Sequence, residues 1–169
     1  KVSANLDAYS FAPFLYGDSL FWASLGHRDG VASGSIQARA LDRSTAVRTV
    51  AQAPGTHTVG LILQDDIAFW VSRPLDTNKS WLWSSPNTCA QQPCAPQSLR
   101  SDYDSSHLRQ MLPDGAGAFW ILTDHRLRHV HPPSAGQPER VIDLLTVGDG
   151  SIAVDDQLVY MARKGADSL

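Results

Sequence analysis

The chain is poor in the features that mark most specialised classes. Its 169 residues include only two cysteines and two methionines, so neither a multi-disulfide framework nor a cysteine-built zinc cluster can be assembled from it. No apolar run approaches the roughly 18 residues that a membrane-crossing helix requires. The first residues, Lys1-Val-Ser-Ala-Asn-Leu6, lack the apolar stretch of a signal peptide, as a processed precursor also would. Charge of one sign is scarce as well: the net charge is −3, which leaves no electrostatic footprint for a nucleic acid partner. No stretch shows a 3.6-residue apolar period, and no G-x-S-x-G, Walker loop, H-E-x-x-H or G-x-G-x-x-G is present. The sequence therefore assigns no catalytic residue, no metal and no cofactor.

What the chain does have is a recurring aromatic pair. Phe21-Trp22, Phe69-Trp70 and Phe119-Trp120 are followed by a weaker copy, Val159-Tyr160, at intervals of 48, 50 and 40 residues. Each pair lies in a short strand pattern preceded by Asp or Gly turn formers, as in Tyr16-Gly-Asp18, Gln64-Asp-Asp66, Pro113-Asp-Gly115 and Val154-Asp-Asp156. An apolar strand precedes each turn: Tyr9–Leu15, Thr58–Leu63, Leu108–Leu112 and Ser151–Val154. Alternating third strands follow at Ser35–Leu41, Ser80–Ser84 and Arg126–His131, and edge-like fourth strands at Ala46–Ala51, Gln97–Ser101 and Glu139–Leu144.

Four antiparallel strands repeated at this period read as an all-β chain of β-propeller blades. The expected blades span about 7–51, 56–102 and 105–144, with an incomplete one at 147–169. That makes three and a half to four blades, and the expectation is a single domain belonging to a larger ring of six to eight. One blade cannot bury both faces of its own sheet, and adjacent strand residues point to opposite faces. Each Phe-Trp pair is therefore expected between blades, where it can pack against both neighbours.

The first unit runs from Phe21-Trp22 to Ile36-Gln-Ala-Arg-Ala-Leu-Asp42 and then Val47-Arg-Thr-Val50. The third keeps Phe119-Trp120 and Thr123-Asp124 before Leu127-Arg-His-Val130. These segments resemble the YWTD-type repeat of low-density lipoprotein receptor relatives and bacterial surface propellers. The second unit departs through its cysteine loop, and the fourth is shorter. The resemblance implies an extracellular or periplasmic scaffold that binds proteins or glycans. It transfers no catalytic residue, because the repeat is structural.

Cys89 and Cys94, in a Pro- and Gln-rich loop, suit a short disulfide, and hence an extracellular, periplasmic or cell-surface protein; two free thiols are the alternative. Propeller ligands engage loops at one end of the blades. The polar groups expected there are His27, Arg28, Asp29, His57, Arg73, Asp76, Asn78, Asp102 and Tyr103. The expected partner is a protein, including a second chain that completes the ring, or a glycan. Two other functions stay open: an enzyme, hydrolase or lyase, with its site at the channel mouth, and a lectin.

Three further patterns carry a bland reading beside a chemical one. His125, His129 and His131 alternate on one strand, where His129 and His131 could share a metal, yet a solvent-facing strand with interleaved Arg126 and Arg128 accounts for them too. Asp76-x-Asn78-x-Ser80 and Asp102-x-Asp104-x-Ser106 echo the start of a calcium loop without its Gly and Glu, and read as turn formers. Trp81 and Trp83 share a strand face and could stack on sugars or on the next blade.

Overall fold

The computed structural model describes residues 10–28, 31–54, 56–74, 79–91, 93–104, 108–123, 126–132, 140–146, 150–155 and 158–163. All regular structure among them is β-strand. The first sheet holds β1 (Ser10–Tyr16), β2 (Ser19–Arg28), β3 (Val31–Ala40) and β4 (Arg48–Pro54). The second holds β5 (Thr56–Gln64), β6 (Ile67–Pro74), β7 (Lys79–Pro86) and β8 (Gln97–Asp104). The third holds β9 (Leu108–Pro113), β10 (Phe119–Thr123), β11 (Arg126–His131) and β12 (Arg140–Thr146). A two-stranded sheet follows, β13 (Gly150–Val154) with β14 (Val159–Arg163). Each four-stranded sheet is an antiparallel meander whose spatial order equals its chain order. The strands fall into two compact units, Lys1–Asp104 and Ser105–Leu169.

Turn chemistry explains the tight first hairpins. Gly17 adopts φ +55° at the first central position of the β1–β2 turn, where a glycine-first turn matches the strand twist. Asp65 and Asp66 both take positive φ, +50° and +61°, in the β5–β6 turn. That is the two-residue geometry Asp tolerates better than bulkier residues. Gly60, at φ +93°, lies where the β5–β6 register shifts between Thr58 and Leu61. A bulge with a left-handed residue needs glycine at that point.

In the first unit the core is the seam between its two sheets. Phe21, Ala23, Ile36, Ala38, Val50 and Ala51 of the first sheet pack with Leu61, Leu63, Ala68 and Trp70 of the second. Register sets small against large: Phe21 lies opposite Ala38, and Leu63 opposite Ala68. The Phe21 ring thus fills space that Ala38 leaves. Trp83, cross-strand partner of Trp70, packs at the rim of the same cluster. Packing is therefore the role of Trp83, and half-buried Trp81 stands edge-on to it at 6.1 Å. The other face of β6 is buried as well, at Phe69 and Val71.

Polar contacts close the seam. The Asp66 amide donates to Tyr16 Oη at 3.1 Å. Arg48 donates to the Asn87 carbonyl at 2.8 Å and to its side-chain oxygen at 2.6 Å, with its guanidinium 5.7 Å from the Phe21 ring centre. Burial lowers the Arg48 pKa, but from a reference so high that the group stays charged. Cys89 and Cys94 form a disulfide. Its loop leans across the seam: the Cys94 amide donates to the Val50 carbonyl at 2.8 Å, and Ala51 and Cys94 form a parallel bridge. Cys94 is 3% exposed, whereas Cys89 is exposed. The loop between β7 and β8 therefore covers part of the β4 edge, a common protection for an outer strand.

In the second unit, Leu122 and Leu127 pack with Ile152, bordered by Leu112, Trp120, Val159 and Met161. Gln110 Oε1 accepts from the Ile152 amide at 3.0 Å and ties β9 to β13. The aromatic pairs do not share one assignment. In the first unit the Phe21 face meets the following sheet, while in the second the Trp120 face does so. The fourth copy differs again. Tyr160 is 52% exposed and donates to Asp155 Oδ2 at 2.7 Å, bracing the hairpin instead of entering a core.

Reducing the disulfide should cost about 2 kcal/mol, the chain-entropy value for so short a loop. Hydrogen exchange should localise the loss, with faster exchange of the Cys94 amide and little change in β10. Arg48→Met keeps the packed stem but removes both bonds to Asn87. It should cost roughly 1–2 kcal/mol in urea unfolding.

Candidate functional site

The contacts that join the first two sheets also orient them. Tyr16 reaches the β5–β6 turn, and Arg48, at the start of β4, reaches Asn87 just after β7. The tight-turn ends of both sheets therefore lie together, and so do the opposite ends. The expected binding residues that fall in described backbone lie at those opposite ends. His27 and Arg28 close β2, opposite Ala32 and Val31. His57 and Arg73 are direct cross-strand partners on β5 and β6. Asp102 and Tyr103 belong to the last turn of β8, with Tyr103 opposite Ser80. Asp29, Asp76 and Asn78 lie outside the described residues, as do His125 and Ser106.

Next to His57 and Arg73 is a feature the sequence did not suggest. Thr58 and Ser72 are cross-strand partners, 1% and 0% exposed. Neither Thr58 Oγ1 nor Ser72 Oγ has a hydrogen-bond partner. A buried hydroxyl without a partner costs about 1–3 kcal/mol, so such pairs are rare unless something else uses them.

A second polar constellation occupies the second unit. Asp114 opens the connection from β9 to β10, and its Oδ1 accepts the amides of Ala116 and Ala118 at 2.8 and 2.9 Å. Gly115 and Gly117, at φ +79° and +92°, let the backbone curl around that carboxylate. Asp114 Oδ2 lies 2.7 Å from His129 Nε2. The His129 ring stacks on Trp120 at 4.1 Å and 10°, and His131 stands 4.4 Å from it at 61°. Burial raises the Asp114 pKa, but the two amides and the bond to His129 outweigh it, and the carboxyl is held below its usual value. The interleaved arginines differ from each other: Arg126 is exposed, whereas Arg128, two residues on along the same face of β11, is 9% exposed. His129 and Asp114 are 15 residues apart, a pairing that spacing alone does not signal.

No protein-family model matches the sequence, and no curated protein matches it. Among solved structures, the chain is similar to the β-propeller domain of the Trilobed protease from Pyrococcus furiosus, described as having an open velcro topology. The similarity has a TM-score of 0.60 at 8% identity and covers 91% of this chain. The fold is a β-propeller. The chain spans 48% of the length of that propeller chain, and an identity this low speaks for fold alone.

Asp114 links folding to pH with a definite sign. A carboxyl whose folded pKa is lowered adds stability that is complete above its unfolded value and is lost as pH falls through the folded value. Asp114→Asn should therefore cost about 1–2 kcal/mol at neutral pH. The gap between wild type and variant should narrow as pH falls from the ordinary carboxylate range through the lowered folded value, measured by urea unfolding across pH.

Proposed function

We propose that the chain is an exported propeller module for binding and assembly. It engages a protein or glycan through the sheet ends that carry His27, Arg28, His57, Arg73, Asp102 and Tyr103, and further blades or a second chain complete its ring. The observation that carries this reading is the pair of buried, unpartnered hydroxyls, Thr58 and Ser72, beside His57 and Arg73. Groups held at a cost to stability are characteristic of functional positions. The remaining expected groups, Asp29, Asp76 and Asn78, fall in the connections that follow β2 and β6 and extend the same set. Export accords with the Cys89–Cys94 disulfide, since such bonds persist in oxidising compartments. A YWTD-like repeat accords with the Ile36–Asp42 segment, which follows the first aromatic pair along β3.

Native mass spectrometry of the protein from its source cells, together with a glycan array, tests the proposal. A stoichiometric second chain or saturable glycan binding is expected, weakened by Arg73→Ala. Thr58→Val and Ser72→Ala should each raise unfolding stability by about 1 kcal/mol while weakening that binding. Variants that lose stability and retain the partner in full would count against this site.

A further inference from the structure

The geometry points to a binding site for one borderline divalent transition metal ion, zinc, copper or nickel, at His129 and His131. Both residues lie on β11, two positions apart, so their side chains leave the same face of the sheet. Their ring centres are 4.4 Å apart. A metal bound to two imidazoles sits about 2.0–2.1 Å from each nitrogen, and rings this close can supply both nitrogens with rotamer adjustment alone.

Spacing by itself would not distinguish this from a polar strand; the second observation is Asp114. Both of its oxygens are committed as acceptors, Oδ1 to the Ala116 and Ala118 amides and Oδ2 to His129. The ionised carboxylate can only accept, so the proton of neutral His129 sits on Nε2 and points at Asp114. That leaves Nδ1 with its lone pair available. A histidine whose far nitrogen donates to a carboxylate is the usual arrangement behind a metal ligand, because the carboxylate fixes the tautomer and raises the basicity of the ligating nitrogen. Trp120, stacked at 4.1 Å and 10°, holds the plane of the ring without covering its edge.

Charge and access agree. Asp114 places one negative charge behind His129, and the His129 side chain is 19% exposed. Arg140, the cross-strand partner of His131, is exposed, so its guanidinium is free to stay in water. Among the described residues no third His, Cys, Asp or Glu joins the pair. Water completes the coordination shell, and the ion is weakly held and exchangeable. Imidazole nitrogen selects zinc, copper or nickel over calcium and magnesium, which prefer oxygen.

The test uses the full chain without a polyhistidine tag. Calorimetric titration with zinc chloride at pH 7.5 should show saturable binding of one ion per chain, and calcium chloride none. Histidine side-chain NMR with substoichiometric nickel should broaden the His129 and His131 signals first. His131→Ala should weaken zinc binding at least tenfold, and Asp114→Asn by about tenfold, the loss expected of a carboxylate behind a ligand. Circular dichroism of His131→Ala and His131→Asn checks that the fold survives, and if the first fails to fold, the second carries the comparison. Absence of saturable zinc uptake, or uptake undiminished in a folded His131 variant, overturns the proposal.

Discussion

The first unit depends on burying a sheet face that its own strands cannot cover. Phe21 and Trp70 come from different sheets, and their rings share one core, with Ala38 set opposite Phe21. Fully burying aromatics of this size contributes several kcal/mol, more than any single hydrogen bond in the unit. The polar contacts follow from that apposition. Tyr16 can meet Asp66, and Arg48 can meet Asn87, only because apolar packing has already brought the tight-turn ends of the sheets together.

The disulfide is best understood within the same constraint. A covalent link across so few residues removes less entropy from the unfolded chain than a long-loop bridge would. Its position gives it a wider effect. By holding Cys94 where its amide meets Val50, it lets a connection of the second sheet cover the outer strand of the first. Edge protection and seam closure are thus tied to one loop.

Two polar constellations stand apart from the apolar seam. In the first unit Thr58 and Ser72 lie buried without partners, one register step from His57 and Arg73. In the second unit Asp114 makes three hydrogen bonds, and Trp120 and His131 frame His129. The first arrangement suits recognition that something else completes, the second a ligand geometry prepared in advance.

The strand content, the hairpin order and the propeller fold were legible because they rest on local rules. Alternation places Phe21 and Trp22 on opposite faces, Asp65 and Asp66 accept a tight turn, and only four residues separate Cys89 from Cys94. The resemblance to one particular repeat type finds no family match, since aromatic strands answer to packing needs that many propellers share. Other features were settled by residues far apart in sequence meeting in space. Whether Phe21 or Trp120 faces the following sheet, and that Asp114 orients His129, depend on what each sheet face meets. Sequence periodicity specifies that a strand has two faces; only the tertiary structure decides what each face meets, because that contact free energy belongs to the pair of sheets and to neither strand alone.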